Sequence, residues 1–320
     1  FGDRVGLDEE DKVNSVDYRT FLASHAPDMK FNTTKIAVIN IQGPIFLGTE
    51  GYGSASADVA VQLIREARKS EDIAAIVVRV DSPGGSAFAS EMIRLELELA
   101  QLDETPVVVS FASVAASGGY WLAATSDYIV AEPNTITGSI GVFSVLFTAQ
   151  EALDKLGIHS DGIATTPFSL TDPFTSPSDQ LDQALQLNVE HGYNQFVELV
   201  AKGRDLDKNK VEGVAQGKVW LGSEAIENGL ADEAGSLPEA LSKAAELAKI
   251  ERWSPMYMKK PVDPRDAFIA ELLKSAQIQS ILPDYVKRVI SLSDIEIIMA
   301  QIQKDTKLQA LCTLCLSGLR

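Results

Sequence analysis

Cysteine is nearly missing from this 320-residue chain: there are two, Cys312 and Cys315, both close to its end. No disulfide framework can be built from them. Cys312-Thr-Leu-Cys315 has the spacing of a redox or metal half-site, but no second pair and no following His complete it. The thiols read as packed or incidental, and neither a metal nor another cofactor is expected. Basic residues are scarce as well, 28 Lys+Arg against 45 Asp+Glu, and no basic cluster interrupts the net charge of −17. Such a surface repels phosphate backbones, which excludes nucleic acid as a partner. Clean apolar runs of membrane-spanning length are also missing. Two uncharged stretches, 105–126 and 133–150, are punctuated by Gly, Ser, Thr and Pro, and read as buried core. No basic n-region or apolar h-region opens the chain, so no signal peptide is visible. It begins on Phe1 instead of Met, which suggests a piece of a longer protein.

What is present is an ordinary globular composition, 45% hydrophobic and 23% charged. That is long enough for one large α/β domain or two smaller ones, and no internal repeat is visible. Residues 1–34 form an acidic lead-in. Lys35 to Ile41 is a β-branched strand stopped by Gly43-Pro44. Residues 57–69 give a helix with Val59, Leu63 and Ala67 on its inner face. Ile73 to Val80 is a continuous apolar run, the mark of a central parallel strand covered on both faces.

The next helix carries Phe88, Met92, Leu95 and Leu99 at helical spacing, so these are expected inward, with Glu91, Arg94 and Glu98 toward water. Val107 to Phe111 gives a third strand, Ala115 to Ala124 a short apolar helix, and Tyr128 to Ala131 a fourth strand. A long helix follows from Pro177 to about Lys202, with Leu181, Leu185, Val189 and Phe196 inward, and a shorter one over 237–249. Strands alternating with helices specify a layered α/β fold with a largely parallel sheet. Residues 35–252 are taken as this domain. Residues 253–320 are expected to be a helical extension, with helical patterns near 265–275 and 293–311.

Two glycine-rich elements stand at the carboxyl ends of expected strands and open helices, the edge where open α/β sheets bind ligands. In Ser82-Pro-Gly84-Gly85, bare N–H groups at a helix start could receive an oxyanion. A plain strand-to-helix turn explains one of the glycines equally well. In Ala115-Ala-Ser117-Gly118-Gly119-Tyr120-Trp121, Ser117 has an uncrowded hydroxyl and the Gly118 N–H can join an anion hole. The competing reading is a small-residue helix start with Ser117 as its N-cap. Ala115 replaces the first glycine of the G-x-S-x-G nucleophile elbow, so that motif is not present.

A nucleophilic serine needs a base. His25 lies in the polar lead-in, His159 follows a helix stop, and His191 is on the flank of the long helix. None belongs to a pattern resembling a Ser-His-Asp triad. A lysine made neutral by burial is the other common base. Between Ser117 and Lys202 only Lys155 is available, in a charged helical turn with Glu151 and Asp154, where it reads as solvated. The sequence offers a nucleophile and an anion hole, with no convincing base.

Asp81-Ser-Pro-Gly-Gly, Ala115-Ala-Ser-Gly-Gly-Tyr-Trp, Thr137-Gly-Ser-Ile-Gly-Val142 and Gly217-Lys-Val-Trp-Leu-Gly222 occur in the order seen in the signal peptide peptidase A (protease IV) family. Asn228-Gly-Leu-Ala-Asp232 and the terminal Cys-x-x-Cys…Arg resemble its long, two-repeat form. The resemblance covers about residues 35–320. It implies a Clp-protease/crotonase-like fold and a Ser-Lys dyad. It also implies a homo-oligomer at the bacterial inner membrane, its catalytic part on the periplasmic side, that degrades cleaved signal peptides.

In the long form the second repeat supplies the serine, here Ser117, and the first repeat the lysine. Gly162-Ile-Ala-Thr-Thr-Pro167 occupies the segment corresponding to the lysine-bearing one, with Thr165 near the matching position. By the same resemblance Gly84, Gly85 and Gly118 form the oxyanion hole, and Ser139 orients the incoming lysine amine. The partners implied are a peptide substrate and the N-terminal repeat of the same protein.

Two rivals remain. A crotonase-type acyl-CoA enzyme needs acidic catalytic residues and a basic surface for the CoA phosphates, which the charge balance disfavours. A non-catalytic half that only builds an oligomer would not need the serine and the double glycine.

Overall fold

The computed structural model describes residues 34–48, 53–160, 166 and 176–259, together with the backbone of 309–311. The chain enters through β1 (Thr34–Gln42), turns at Gly43-Pro44, and forms two short strands, β2 (Ile45–Phe46) and β3 (Ala55–Ser56). Helix α1 (Ala57–Arg68) starts at Ser56, whose hydroxyl accepts the Val59 N–H, and buries Val59, Leu63 and Ala67 as expected. Next come β4 (Ile73–Ser82), β5 (Gly84–Ser86) and α2 (Ala87–Leu102). Then follow β6 (Val107–Ala116), α3 (Gly118–Trp121), β7 (Tyr128–Ala131) and β8 (Ile136–Gly138). After α4 (Gln150–Lys155) and the long α5 (Asp179–Gly203) stand α6 (Lys208–Val214), β9 (Val219–Leu221), α7 (Gly222–Glu227) and β10 (Glu233–Ala234). The described chain closes with α8 (Leu237–Leu247), β11 (Trp253–Tyr257) and, much later, β12 (Gln309–Leu311).

The main sheet runs β10-β7-β6-β4-β1-β11, every pairing along it parallel, while β8 joins the far end of β6 and pairs β9 antiparallel. Strand β4 lies in the middle, as its unbroken apolar run requires. Alternate residues feed two cores. Ile39, Ile41, Ile76, Val78, Val80, Val109 and Phe111 point to the side of α1, α2 and α3. Ile36, Val38, Ala75, Val77 and Val108 meet Ala240, Leu241 and Ala244 of α8 on the other side. A second small sheet, β12-β5-β2-β3, stands at the carboxyl edge.

Several expectations need correction. Strand β6 does not stop at Phe111. A register shift opposite Val80 and Ser82 lets it run on to Ala116, where Val114, Ala115 and Ala116 find a new partner in β8. The Thr137 hydroxyl fastens that junction by donating to the Ala115 carbonyl at 2.6 Å. Cross-strand pairing therefore overrides the helical preference of the alanines, and the expected helix over 115–124 shrinks to the four residues of α3.

Helix α2 turns a different face to the core. Phe88, Leu95 and Leu99 are 58%, 45% and 42% exposed, and the buried face is Ala89, Ile93, Leu97 and Ala100, with Arg94 and Glu96 among them. Burying those two charges is tolerable because both are paired. Arg94 meets Glu91 and Glu98, and Glu96 meets Arg65 and Arg68 of α1. In α5, Phe196 is buried, but the first buried residue is Gly192, and Leu181, Leu185 and Val189 are only half-buried.

The sheet also continues past Arg252: Trp253–Tyr257 pairs in parallel with β1, so these residues belong to the α/β layer and not to a helical tail. The end of the helical pattern over 293–311 is the strand β12. The lead-in before Thr34, the pattern near 265–275, and Cys312 and Cys315 lie outside the described residues.

Candidate active site

Ser117 sits where β6 ends and α3 begins, at φ 54° and ψ −117°, a backbone conformation that costs a side-chain-bearing residue energy. Local hydrogen bonds hold it there. Its N–H donates to the Gly138 carbonyl at 2.9 Å, and its carbonyl accepts the N–H groups of Tyr120 and Trp121 at 3.0 and 2.8 Å. The residue is 0% exposed, yet its hydroxyl has no hydrogen-bond partner among the described residues. Ser117 stands at the N-cap position of α3, as the competing reading had it, but its side chain makes no capping hydrogen bond. Ser90 also has a buried hydroxyl without a partner, but only Ser117 joins that to a strained backbone, a combination that marks functional sites.

The turn is packed tightly from below. A Cβ on Gly119 would lie 2.9 Å from the Ser82 carbonyl oxygen, so α3 rests directly on the end of β4. The two aromatic residues of α3 reach away in different directions. The Tyr120 hydroxyl donates to the Leu230 carbonyl at 2.8 Å, and burial pushes its phenol far above the ordinary tyrosine range. The Trp121 indole N–H donates to the Glu91 carboxylate at 2.7 Å, while its ring packs at a tilt against Phe196, centroids 4.6 Å apart. These anchors lie far away in sequence and no motif announced them.

Gly84 and Gly85 are brought to the same end of the sheet, though not as the first residues of a helix. They form β5, and Ser86 caps α2 by accepting the Ala89 N–H at 3.3 Å. The Gly84 N–H donates to the Ser82 hydroxyl at 3.1 Å. Gly85, at φ +154°, faces Ile45 so closely that a Cβ would stand 2.1 Å from its carbonyl oxygen. The glycine here is a matter of close approach between β5 and β2. The Gly118 N–H opens α3 and has no intrahelical acceptor. Strand β12 lies antiparallel on β5, with Ala310 opposite Gly85 and Leu311 opposite Gly84.

Ser139 follows Gly138, the residue whose carbonyl holds the Ser117 N–H. It is nearly buried at φ 49°, and its N–H donates to the Lys218 carbonyl at 2.7 Å. It also lines a cleft of about 400 Å³ with Val142, Phe143, Val189, Tyr193 and Gln216. The candidate bases do not converge here. Lys155 is exposed on α4, His159 is exposed and pairs with Asp154 at 3.0 Å, and His191 is exposed on α5. His25 and Thr165 lie outside the described residues. Among the described residues no lysine is buried and no group of His, Cys, Asp and Glu could hold a metal.

The model of peptidase family S49 matches residues 100–251. Protease 4 of Haemophilus influenzae is 44% identical over 245 residues, 76% of this chain and 40% of that one. The chloroplastic serine protease SPPA of Arabidopsis thaliana is 34% identical over 258 residues, 78% of this chain and 38% of that one. A Synechocystis sp. protein named as a candidate protease is 35% identical over 221 residues, covering 68% of this chain and 76% of that one. The chain belongs to peptidase family S49. Its sheet flanked by helices is the Clp-protease-like architecture expected from the sequence, and nothing points to the crotonase-type alternative. The chain spans about two fifths of the Haemophilus and Arabidopsis relatives. Among the described residues no helix is long and apolar enough to cross a membrane.

Proposed function

We propose that this chain carries the nucleophile and the anion hole of a Ser-Lys serine endopeptidase. The observation that carries the reading is the buried, partnerless Ser117 hydroxyl on its strained turn. The Ser117 Oγ adds to a peptide carbonyl carbon while its proton passes to a neutral lysine amine. The carbonyl oxygen becomes an oxyanion received by the N–H groups of Gly118 and Gly85, with Gly84 N–H turned to Ser82. Collapse expels the amine fragment, which takes the proton from the lysine, and water then clears the acyl ester with the same lysine as base.

The lysine comes from the first repeat of the longer protein, a reading supported by the two-repeat resemblance and by the lack of a buried lysine among the described residues. Ser139, one residue past the strand tied to Ser117, orients that amine. The substrates are extended apolar peptides of the kind left by signal-peptide cleavage, met by a homo-oligomer at the periplasmic face of a bacterial membrane. The seat of β12 on β5 supports an extended peptide on that edge.

The test is Ser117→Ala in the full-length protein, assayed on an apolar fluorogenic peptide and with a fluorophosphonate that labels activated serines. Loss of both turnover and labelling, with the melting temperature kept, is the expected result. Full turnover in the folded variant overturns the reading.

A further inference from the structure

Helix α3 is one turn long and cannot hold its own shape, since a single turn gains too few hydrogen bonds to offset its ordering. Ser117 nonetheless stays at φ 54°. Besides the Ser117 N–H bond to Gly138, two side-chain ties outside α3 fix it. One tie is the Tyr120 hydroxyl on the Leu230 carbonyl, a neutral bond to main chain. The other is ionic. Trp121 donates its indole N–H to Glu91 Oε2 at 2.7 Å, and that carboxylate is gripped by Arg94 through Nε at 2.8 Å and Nη2 at 2.9 Å. Arg94 is itself only 4% exposed and spends its remaining nitrogen on Glu98 at 3.0 Å and the Thr125 hydroxyl at 3.3 Å.

The helix that carries Glu91 and Arg94 is also the one that β5 leads into. Glu91 lies little more than a turn beyond Ser86, which caps α2 and ends β5. Helix α3 packs on both α2 and β5. The indole-to-carboxylate bond therefore fixes the spacing between the two parts of the site: the Ser117 turn and the Gly84–Gly85 strand. Ordinary stability does not demand this arrangement. Setting a buried guanidinium against a half-buried carboxylate gains little over packing hydrocarbon there, whereas a charged hydrogen bond has a defined direction.

We propose that Glu91 and Arg94 are positioning residues for the nucleophile, acting through Trp121. The carboxylate sets the rotation of the indole. The Trp121 main-chain N–H, bonded to the Ser117 carbonyl at 2.8 Å, passes that setting to the hydroxyl and to the Gly118 N–H. This rests on the Ser117 reading above, so Ser117→Ala is carried as the control that tests that reading separately.

The experiment uses the full-length protein in four further forms. Trp121→Phe keeps the ring against Phe196 and loses the donor. Glu91→Leu loses the acceptor, Glu91→Gln keeps an uncharged one, and the fourth form joins Trp121→Phe with Glu91→Leu. Readouts are kcat and KM on one fluorogenic peptide, the fluorophosphonate labelling rate, and the melting temperature. Displacement of a reacting atom by a fraction of an ångström costs about tenfold or more in rate. Trp121→Phe and Glu91→Leu should therefore lower kcat by about tenfold with KM little changed, and slow labelling in parallel.

Glu91→Gln should recover most of the rate. The joint variant should be no slower than the worse single one, because both break the same bond. A fall in melting temperature with kcat and labelling unchanged reduces the network to structure and overturns the proposal. So do additive losses in the joint variant, or a Glu91→Gln protein as slow as Glu91→Leu. If Ser117→Ala stays active, the nucleophile reading fails, whatever the other variants do.

Discussion

The N–H of Ser117 donates to the carbonyl of Gly138, one residue before Ser139. The main chain of the proposed nucleophile is thus fastened beside the serine proposed to orient the base, at the end of the β6–β8 pairing. The bond adds to that pairing, so the two serines are held by the same stretch of sheet.

The first prediction concerns that base. General-base assistance is worth roughly 10²–10⁴ in rate. This chain alone should fall below the full-length protein by about that factor on the same peptide. Lys155→Ala should leave the full-length rate unchanged, because Lys155 is exposed on α4. A chain that matches the full-length rate by itself, and loses it with Lys155→Ala, makes Lys155 the base.

Gly85 gives the second. Its Cβ would stand 2.1 Å from the Ile45 carbonyl oxygen, so Gly85→Ala must push β5 off β2. The cost should exceed about 1 kcal/mol in chemical denaturation. Because β5 carries the proposed anion-hole donor, kcat should fall more than KM rises. An unaltered unfolding midpoint would mean that β5 yields freely.

Tyr120 supplies a pH dependence. Burial holds its phenol protonated in the folded chain, whereas the unfolded chain releases that proton near the ordinary value of about 10. Below that value the contribution is complete. Above it the unfolded state binds fewer protons, and stability should decline by about 1.4 kcal/mol per pH unit until the folded phenol titrates. Denaturation curves between pH 9 and 11 would show a steeper decline for the parent chain than for Tyr120→Phe. That variant should itself be weaker at neutral pH by about 1–3 kcal/mol, since the buried Leu230 carbonyl loses its donor.

The orientation of α2 is open to a paired test. Phe88→Ala removes a ring that is mostly in solvent and should change stability by no more than about 0.5 kcal/mol. Ile93→Ala empties a fully buried site and should cost about 2–4 kcal/mol. Equal costs for the two would restore the face that hydrophobic spacing suggested.

That spacing misled for a physical reason. Periodicity counts apolar residues, and α2 carries two apolar stripes, one of them bulky throughout and the other flanked by alanines. The second, Ala89, Ile93, Leu97 and Ala100, approaches the sheet more closely, and ion pairs neutralise the charges that go in with it. Elements whose neighbours did not alter their pattern were legible: β4 from its unbroken β-branched run, α1 from one clean stripe. Strand β6 was half-legible, because its second half exists only through pairing with β8. At the site, Ser117 and the glycines announced themselves as a motif. The strain at Ser117 and the Glu91–Trp121 bond could not, since they arise from contacts across 30 residues to Glu91 and 110 to Leu230.

Strand β5 offers a neighbour almost no side chains, only two glycines and a capping serine. Whatever lies along it, as Gln309–Leu311 does, is held by main chain against main chain. A ladder of that kind is blind to spelling, because every residue except proline presents the same donor and acceptor. What such a ladder selects is shape: a segment must already be extended and straight to lie down there.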